Sequence, residues 1–403
     1  MVANKHILFI VENNAAPDDV RVWSEALEAK KIFSDVSIIS PISKRYNKRY
    51  EIIDNIEIYR HTMMMEANSK IGFIFEYLSA LINELYLGFK IFVKKPFSIL
   101  HSANPPDHIF IIALIFKIFG VKFVFDHHDL TPENYEAKFM KKDFIYRILL
   151  LMERLTFMTS DLVISTNESY KKIAVDRGKK KSNEVFVVRN GPDISKIMFF
   201  PPNNKLKENF QFLVAYLGSI GNQERIDILL RSIRHIVYHK KVNNIKFIII
   251  GEGPHLKKMI ALSKELKIQK YVTFTGYIPY KDFFEILSTA DVCVNPEIKN
   301  SFTDQSTMIK IMDYMTFGKP IIQFNVTEGK VTAGDASIYI KDNNVINFAE
   351  TIIKLCKDPD KRKRMGEIGK KRIFEKLSWN KQKVNLLRAY YYLDNRLKYS
   401  ENY

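Results

Sequence analysis

Short apolar runs rich in β-branched residues alternate along this chain with amphipathic segments of about a dozen residues. This alternation predicts a parallel β-sheet whose two faces are both covered by helices. The strands predicted in the first half are His6–Val11, Val36–Ile39, Ile56–Tyr59, Ile99–His101, Val121–Phe125, Leu162–Ser165 and Val185–Val188. The helices predicted between them are Val20–Lys31, Ile71–Lys94, Asp107–Phe119, Phe144–Phe157 and Glu168–Val175.

A break in the pattern separates this series from a second one. Residues 198–210 contain paired prolines and polar side chains without any period, which is typical of a linker. The strands predicted after it are Phe212–Leu217, Phe247–Ile250, Val272–Phe274, Val292–Val294, Pro320–Gln323 and Ile338–Ile340. The helices predicted there are Ile226–Tyr238, His255–Leu266, Tyr280–Ser288, Ser306–Phe317 and Val345–Lys357, followed by a charged helical end at Pro359–Arg396.

This organisation predicts an α/β protein with two Rossmann-like doubly wound domains that face a cleft. We expect the first domain at residues 1–197, a linker at 198–210, the second domain at 211–376 and a terminal helical segment at 377–403. In sheets of this kind ligands bind beyond the carboxyl ends of the strands, so polar residues in those loops are the first candidates for a site.

The composition supports a folded protein and leaves its partner open. Of the 403 residues 46% are hydrophobic, which excludes a disordered chain, and 2 cysteines are too few for a disulfide scaffold. We therefore expect a reducing compartment. The net charge is +17, with 27 basic and 24 acidic residues up to residue 195 but 35 and 21 beyond it. A basic half predicts an anionic partner, and nucleic acid, anionic lipid and a phosphorylated small molecule all meet this description.

Segment Asn295–Ile322 is the most informative, because it runs from a strand through a polar loop into a helix. Ser306 or Thr307 is predicted at the helix start, where unsatisfied backbone N–H groups and the helix dipole favour a phosphate. Lys310 adds a positive charge, and Asp313 lies on the same helix face, where its carboxylate can accept hydrogen bonds from a ribose diol. An ordinary N-capped helix with a solvated lysine and aspartate fits the same residues.

The same segment resembles the nucleotide-sugar signature of family 4 glycosyltransferases of GT-B architecture. Asp313 matches the second acid of that signature, and Gly318-Lys319-Pro320 matches its end. A subgroup with the pattern D-x-S-T-M-x-K is more similar still, and Ile309 stands where this subgroup usually has Asn. The residues that match the subgroup are Asp304, Ser306, Thr307, Met308 and Lys310.

The resemblance extends over nearly the whole chain, because further blocks follow in the family's order and spacing. In the first half these blocks are Glu12-Asn13 with Asp19, Arg21-Val22-Trp23 and Glu25, then Asn104-Pro105-Pro106-Asp107, Phe125–Leu130 with Pro132-Glu133, and Val188–Asp193. In the second half they are Gly218–Glu224, Gly251–Pro254 and Phe274–Pro279. Ser219 and Glu224 occupy positions where many relatives have Arg and Lys.

The resemblance implies a retaining hexosyltransferase that takes a UDP- or GDP-sugar as donor and needs no metal or other cofactor. In this interpretation Lys310 and the helix start hold most of the diphosphate, with Arg225 as a further cation. The residues that the resemblance assigns to the donor are Gly218, Ser219 and Gly221 at the diphosphate, Gly276, Tyr277 and Ile278 at the base, and Ser306, Thr307, Met308 and Asp313 around the helix start.

Catalysis is expected around His128, which follows strand Val121–Phe125 and which the resemblance implies lies against the donor sugar. His127 is the competing histidine. Asp129 is expected to orient the imidazole or to cap the next turn, and Asp304 to bind donor-sugar hydroxyls or to cap a helix. In addition, Glu12 and Asn13 are expected at the same end of the sheet, where they contact the acceptor or a phosphate.

The expected acceptor is a glycan or a lipid-linked glycan in surface polysaccharide assembly. We expect a cytoplasmic protein at the inner face of the membrane, and no run of about 18 uncharged apolar residues predicts a membrane-spanning helix. Ile71–Lys94 and Met140–Arg154 mix apolar and basic residues, so they either face the core or contact an anionic leaflet. The resemblance also implies that the terminal segment 377–403 crosses back to the first domain.

Three other functions are alternatives to a glycosyltransferase. A sugar-nucleotide epimerase and a nucleotide-binding protein without catalysis are both compatible with the same architecture. A nucleic-acid-binding protein is less compatible, because the basic residues are dispersed and no recognition module is present. The sequence lacks GxxxxGK[ST], the motif of many ATPases, GxGxxG after a strand, the motif of dinucleotide-binding enzymes, and HExxH, the motif of zinc proteases. Their absence argues against these three classes of enzyme.

Overall fold

The computed structural model describes residues 3–62 and 70–393, with side chains from residue 5 and, beyond the gap, from residue 78. The chain divides into two compact units. The first unit contains the chain up to Tyr135, Lys141–Asn190 and the chain from Gln382 onward, and the second contains Glu136–Met140 and Gly191–Lys381. Residues 394–403 of the terminal segment expected at 377–403 lie outside the described residues.

The first unit is built on a sheet of eight strands. They are β1 (Ala3–Ile10), β2 (Phe33–Pro41), β3 (Tyr50–Ile53), β4 (Ile56–His61), β5 (Ile99–Ala103), β6 (Lys122–His127), β7 (Leu162–Ser165) and β8 (Val185–Val187). Their order in the sheet is β3-β4-β2-β1-β5-β6-β7-β8. Only the edge pair of β3 and β4 is antiparallel among the described strands of this sheet. The predicted parallel arrangement is therefore confirmed for the rest.

Six helices cover this sheet and the last helix of the chain joins them. They are α1 (Val20–Ala29), α2 (Lys70–Lys94), α3 (Phe110–Lys117), α4 (Thr131–Phe139), α5 (Phe144–Thr159) and α6 (Glu168–Asp176). The last helix contributes its residues from Gln382 onward to this unit. There the side chain of Gln382 accepts a hydrogen bond from the Arg189 N–H at 3.0 Å, and the Tyr390 hydroxyl bonds His101 Nδ1 at 2.8 Å.

The second unit is built on six parallel strands. They are β9 (Phe212–Leu217), β10 (Ile245–Ile250), β11 (Val272–Gly276), β12 (Val292–Asn295), β13 (Ile321–Phe324) and β14 (Ser337–Ile340), in the order β11-β10-β9-β12-β13-β14. Every residue of β10 is buried, as expected for a strand covered on both faces. The helices are α7 (Ile226–Arg234), α8 (Leu256–Glu265), α9 (Tyr280–Thr289), α10 (Ile309–Thr316), α11 (Thr327–Ala333), α12 (Val345–Cys356) and α13 (Pro359–Arg372). The last helix, α14 (Trp379–Leu393), begins in this unit and continues in the first from Gln382.

Two elements of the first unit were missing from the predicted pattern. Strand β3 pairs with β4 through a turn at Asp54 and Asn55, which have φ angles of 51° and 59°. Two successive left-handed residues of these types are typical of a two-residue hairpin loop, so the signal was present in the sequence. Helix α4 was also missed, although Thr131-Pro132-Glu133 is a helix-start signal.

The strand order places a ligand-binding crevice in each sheet. The order reverses between β1 and β5 in the first sheet and between β9 and β12 in the second. Loops that leave adjacent strands in opposite directions at such a point open a crevice beyond their carboxyl ends. The loops after β9 and β12 are those that carry Gly218 and the segment leading to Lys310.

Candidate functional site

The loop Gly218–Glu224, called the glycine loop below, follows β9 in the second unit and approaches Lys310 closely. Gly218 has a φ of 145°, and a Cβ built on it would lie 2.9 Å from the Cε and Nζ of Lys310. Gly251, at the end of β10, packs on the same loop, because its Cβ would lie 2.0 Å from the Gly218 carbonyl oxygen. Any larger residue at Gly218 or Gly251 would therefore displace the backbone or the lysine.

Lys310 lies in the first turn of α10, where its ammonium is held by an acid and a phenol. Its Nζ lies 2.6 Å from Glu297 Oε1 and 3.1 Å from the Tyr216 hydroxyl, and it sits over the Tyr216 ring at 4.8 Å from the centroid. Burial acts to lower the pKa of Lys310, but the charges of Glu297 and Tyr216 and the hydrogen bonds to both together outweigh it and raise this pKa. The result is a fixed positive charge beside Gly218.

Glu297 was not identified from the sequence. It lies in the loop after β12, is 4% exposed, and forms the closest described contact of the Lys310 ammonium. Its residue type is ordinary in a polar loop, so its only sequence signal was its position, just past the carboxyl end of a strand next to β9. In the fold it is the group that orients Lys310.

The prediction that Ser306 or Thr307 begins the helix is wrong. Helix α10 begins at Ile309, after Met308 in an extended conformation. The chain from Asn300 to Ser306 instead folds into its own turns, and the Ser306 hydroxyl donates to the Phe302 carbonyl at 2.8 Å. The N–H groups of the first turn of α10 remain the donors that such a helix start offers to an anion.

Asp313 is half-buried one turn beyond Lys310 on the same face of α10. Burial raises the pKa of its carboxyl group to about 7. A carboxyl group in this position gains from hydroxyl donors, because hydrogen bonds to the ionised form offset the loss of water. Its position is compatible with the ribose-diol role expected from the sequence.

In the rest of the glycine loop, a carboxylate of the loop itself accepts a hydrogen bond from the backbone. The Gly221 N–H donates to Glu224 Oε2 at 2.9 Å, whereas Ser219 is exposed and its carbonyl accepts from the Tyr216 hydroxyl at 2.8 Å. Arg225 does not serve as a free cation here, because its guanidinium forms two 3.0 Å hydrogen bonds with Asp227. Lys310 is thus the cation that contacts the loop.

The turn after β11 is open, while Asp304 is engaged within the protein. Gly276 has a φ of 67° and its carbonyl accepts from the Gly251 N–H at 3.1 Å, so this turn is hydrogen-bonded to the residue that packs on Gly218. Next to it, Tyr277 is 74% exposed and Ile278 is half-buried. Asp304 accepts from the Thr327 N–H at 2.8 Å at the start of α11 and pairs with Lys299 at 3.0 Å.

In the first unit, His128 belongs to a buried charge network after β6. Its Nδ1 lies 3.4 Å from Asp126 Oδ2, and Arg21 holds both oxygens of Asp126 at 2.7 and 2.6 Å. Burial acts to lower the pKa of His128, but the hydrogen bond and charge of Asp126 outweigh it and raise this pKa. Burial acts to raise the pKa of Asp126, and Arg21 reverses this and lowers it.

Asp126, rather than Asp129, is the residue that faces the imidazole. The Asp129 carboxylate accepts from the Leu130 N–H at 2.9 Å, and burial raises its pKa. Asn104 fixes this loop, because its side-chain oxygen accepts from the N–H groups of His128 and Asp129 at 2.8 and 3.1 Å. The competing His127 is fully buried among aromatic rings, with Glu153 at 3.6 Å, and is a core residue.

Glu12 and Asn13 follow β1 but differ in surroundings. Asn13 is exposed, whereas Glu12 is 5% exposed and its Oε2 lies 3.7 Å from His108 Nε2. The structure therefore brings Gly218, Gly276 and Lys310 together in the second unit, and His128 with Asp126 in the first. Glu12 belongs to a separate buried cluster of the first unit.

No helix among residues 3–62 and 70–393 is both long enough and apolar enough to cross a bilayer.

Residues 200–372 match the family model described as Glycosyl transferases group 1. A curated relative is the capsular polysaccharide biosynthesis glycosyltransferase CapM of Staphylococcus aureus, 26% identical over 249 residues, which cover 59% of this chain and 63% of the relative. The chain spans about six tenths of the length of the first curated relatives it matches.

Solved structures match almost the whole chain. Sucrose-phosphate synthase from Thermosynechococcus elongatus superposes with a TM-score of 0.76 at 15% identity, covering 97% of this chain and 99% of that one. Anabaena HepE in complex with UDP gives a TM-score of 0.71 at 12% identity, covering 96% and 99%. These structures confirm the predicted GT-B fold.

Proposed function

We propose that this protein is a retaining group 1 glycosyltransferase that moves a hexose from a UDP- or GDP-sugar to a glycan or lipid-linked acceptor. The observation that carries the proposal is the approach of the Lys310 ammonium to Gly218 at the start of α10. A glycine backbone, a fixed cation and a helix N-terminus in one crevice form a diphosphate site by their own chemistry. The family-model match over residues 200–372 supports the same assignment.

In the proposed reaction, the bond between the anomeric carbon and the phosphate oxygen breaks, and its electron pair stays on the diphosphate. Lys310 and the N–H groups at the start of α10 stabilise that developing charge, which is where catalytic donors act most strongly. The acceptor hydroxyl oxygen forms the new bond on the same face of the sugar, and its proton passes to the departing phosphate. His128, held by Asp126, is assigned to the donor sugar.

The UDP or GDP preference is open to a direct experiment. HepE, whose fold this chain shares, was crystallised with UDP, so UDP is the first nucleotide to test. The purified chain is incubated with a panel of UDP- and GDP-hexoses, and released nucleotide is measured by mass spectrometry, since slow hydrolysis of the donor needs no acceptor. Release from one donor class, lost in Lys310→Met, is the expected result.

Two other functions give different products in the same experiment. An epimerase returns a changed nucleotide sugar without nucleotide release, and a protein that only binds the nucleotide gives a thermal shift without any turnover. Release of UDP or GDP with a sugar of retained anomeric configuration supports the proposed transferase. No thermal shift and no release with any donor of the panel would refute it.

We also propose contact between helix α5 and an anionic membrane, which brings a lipid-linked acceptor to a cytoplasmic enzyme. Phe144, Leu151 and Met158 recur every seven residues on α5 and are 75%, 56% and 65% exposed. Exposed Arg147 and Arg154 follow the same spacing beside them. An apolar stripe bordered by cations is the arrangement of helices that lie in a membrane interface.

Sedimentation with vesicles tests this membrane contact. We expect the protein to bind vesicles that contain anionic lipid. Leu151→Asp should reduce this binding at least tenfold, because a charge replaces apolar area that the membrane would bury. A matched control is Ile346→Asp, an exposed apolar residue at 47% exposure on a helix of the second unit. Equal sedimentation of the wild type with and without vesicles would remove this part of the proposal.

A further inference from the structure

A second cluster of chemically active side chains lies at the strand-order reversal of the first sheet. Glu12 follows β1 and His108 follows β5, which are the two strands at the reversal. His61 ends β4, and Glu84 reaches the cluster from helix α2. Their exposures are 5%, 5%, 4% and 0% in this order of mention, so two acids and two imidazoles are buried together.

The spacing of these groups suits a metal ion. One ligand atom from each of Glu12, Glu84 and His108 lies within 4.8 Å of the other two. His108 Nε2 is 3.7 Å from Glu12 Oε2, and His61 Nε2 is 3.9 Å from Glu84 Oε1. Ligand atoms about 2 Å from a cation lie roughly 3 to 4 Å apart, so small side-chain movements close the shell.

Glu84 supplies an independent reason to expect a cation. It is fully buried, and within the described part of the chain neither carboxylate oxygen accepts a hydrogen bond. A buried carboxylate without such partners is strongly destabilised unless it binds a cation or a proton. His61 and His108 are both buried beside these acids, and a neutral imidazole is the form that binds metals.

A neighbouring cluster shows what a satisfied arrangement looks like in this unit. Glu25, His101 and Asp126 also lie within metal-ligand distance of one another. Arg21 already neutralises them, with its guanidinium 3.1 Å from Glu25 and 2.6 Å from Asp126. Among the described residues no lysine or arginine pairs with Glu84, so Glu84 lacks the cation that Glu25 and Asp126 have in Arg21.

We propose that Glu12, His61, Glu84 and His108 bind one divalent transition-metal ion, for which two imidazoles and two carboxylates favour Zn²⁺. Two carboxylates and Zn²⁺ form a neutral unit, which suits a buried site. The ion joins the ends of β1 and β4, helix α2 and the loop after β5. That loop also carries Asn104, whose side chain binds the His128 and Asp129 backbone, so the role of the metal is to hold this loop and no transfer step passes through it.

Metal content and spectroscopy test this site without any substrate. The chain is freed of metal with a chelator, reconstituted with Zn²⁺ or Co²⁺, desalted and analysed for bound metal. We expect one Zn²⁺ per chain, visible Co²⁺ bands of low coordination number and a higher melting temperature after Zn²⁺ is restored. Glu84→Gln keeps the shape of the protonated side chain and should weaken Zn²⁺ binding at least tenfold, as should His108→Gln.

Controls separate this site from the surface and from general damage. His235 and His239 stack at 5.0 Å on an exposed helical turn and offer a weak alternative site, so every variant is made in a His239→Ala background. Glu28→Gln changes a buried glutamate already paired with Lys31 and should leave the metal content unchanged. Less than a tenth of a Zn²⁺ per wild-type chain, or full retention of Zn²⁺ in folded Glu84→Gln, would overturn the proposal.

Discussion

Replacing Lys310 by Met removes the cation that contacts the glycine loop and keeps most of the side-chain volume. The Lys310 and Glu297 side chains are 11% and 5% exposed, and their charged atoms are 2.6 Å apart. Removing one partner of a buried pair costs about 3–5 kcal/mol of stability, because the other charge remains without compensation. The single variant is therefore compared with Lys310→Met/Glu297→Gln, which removes both charges and should recover most of the lost stability.

The functional effect should survive in that double variant. A charged hydrogen bond to the diphosphate contributes about 1.5–3 kcal/mol, so the affinity for UDP or GDP should fall about ten- to a hundredfold. A preorganised donor lost at the developing charge lowers the rate about a hundred- to a thousandfold. Stability recovery without functional recovery separates the role of Lys310 toward phosphate from its role in the fold.

Calorimetric titration with the nucleoside diphosphate and with the plain nucleoside provides the assay. Lys310→Met should weaken binding of the diphosphate and leave that of the nucleoside within twofold, because the proposal assigns the ammonium to the phosphates. Lys319→Met is the matched control, since Lys319 is half-buried but donates to the Ser288 carbonyl at 2.7 Å beyond the other end of α10. Unchanged diphosphate affinity in a folded Lys310→Met would refute the assignment.

Three further predictions concern single residues. His128→Gln should lower transfer at least tenfold with the fold intact. Asp126 outweighs burial and raises the pKa of His128. The wild type should therefore have its full excess of unfolding free energy over this variant below about pH 6.5, and this excess should decline as the pH rises through the folded-state pKa. Asp313 has its pKa raised to about 7 by burial, so the wild type should lose stability relative to Asp313→Asn between about pH 4 and 7 in urea titrations, and added UDP or GDP should reduce that loss. Gly218→Ala places a Cβ on a residue with a φ of 145°, at 2.9 Å from the Lys310 amine, so it should lower the melting temperature and abolish the thermal shift with UDP or GDP. The control is Gly120→Ala, where a Cβ meets nothing within 4 Å, and it should lower only the melting temperature.

The fold was predictable because its signal is local. Parallel strands buried on both faces are continuous apolar runs, as in Phe247–Ile250, and in the second unit a helix separates each strand from the next. The errors fell where short polar segments decide the structure. Ser306 is a common helix-cap residue, yet a tertiary turn uses its hydroxyl, so the helix starts at Ile309. Helix propensity alone does not predict that a tertiary turn will compete for this hydroxyl.

The site was predictable only in its motif-bearing part. Gly218 and Lys310 could be placed together from the family pattern, and the structure has them in contact. The residues that set their electrostatics were missed: Glu297 for Lys310, Asp126 for His128, and Arg21, which lies 105 residues from Asp126 in the sequence. An acid in a loop carries no sequence signal of which cation it will face, because that depends on strand order and loop path.

The surplus positive charge of the second half does not explain recognition of a diphosphate. Around the glycine loop, the described ionic groups are Lys310 with Glu297, Arg225 with Asp227, and Glu224 on the Gly221 N–H, so acids outnumber bases. Lysines farther than about 8–10 Å from a bound phosphate are largely screened by salt. In the proposed site, the diphosphate is therefore assigned to backbone N–H groups of the loop and of α10, with Lys310 as a single oriented charge. The remaining positive charge then acts on the surface, where it favours encounter with anionic partners rather than the geometry of the bound donor.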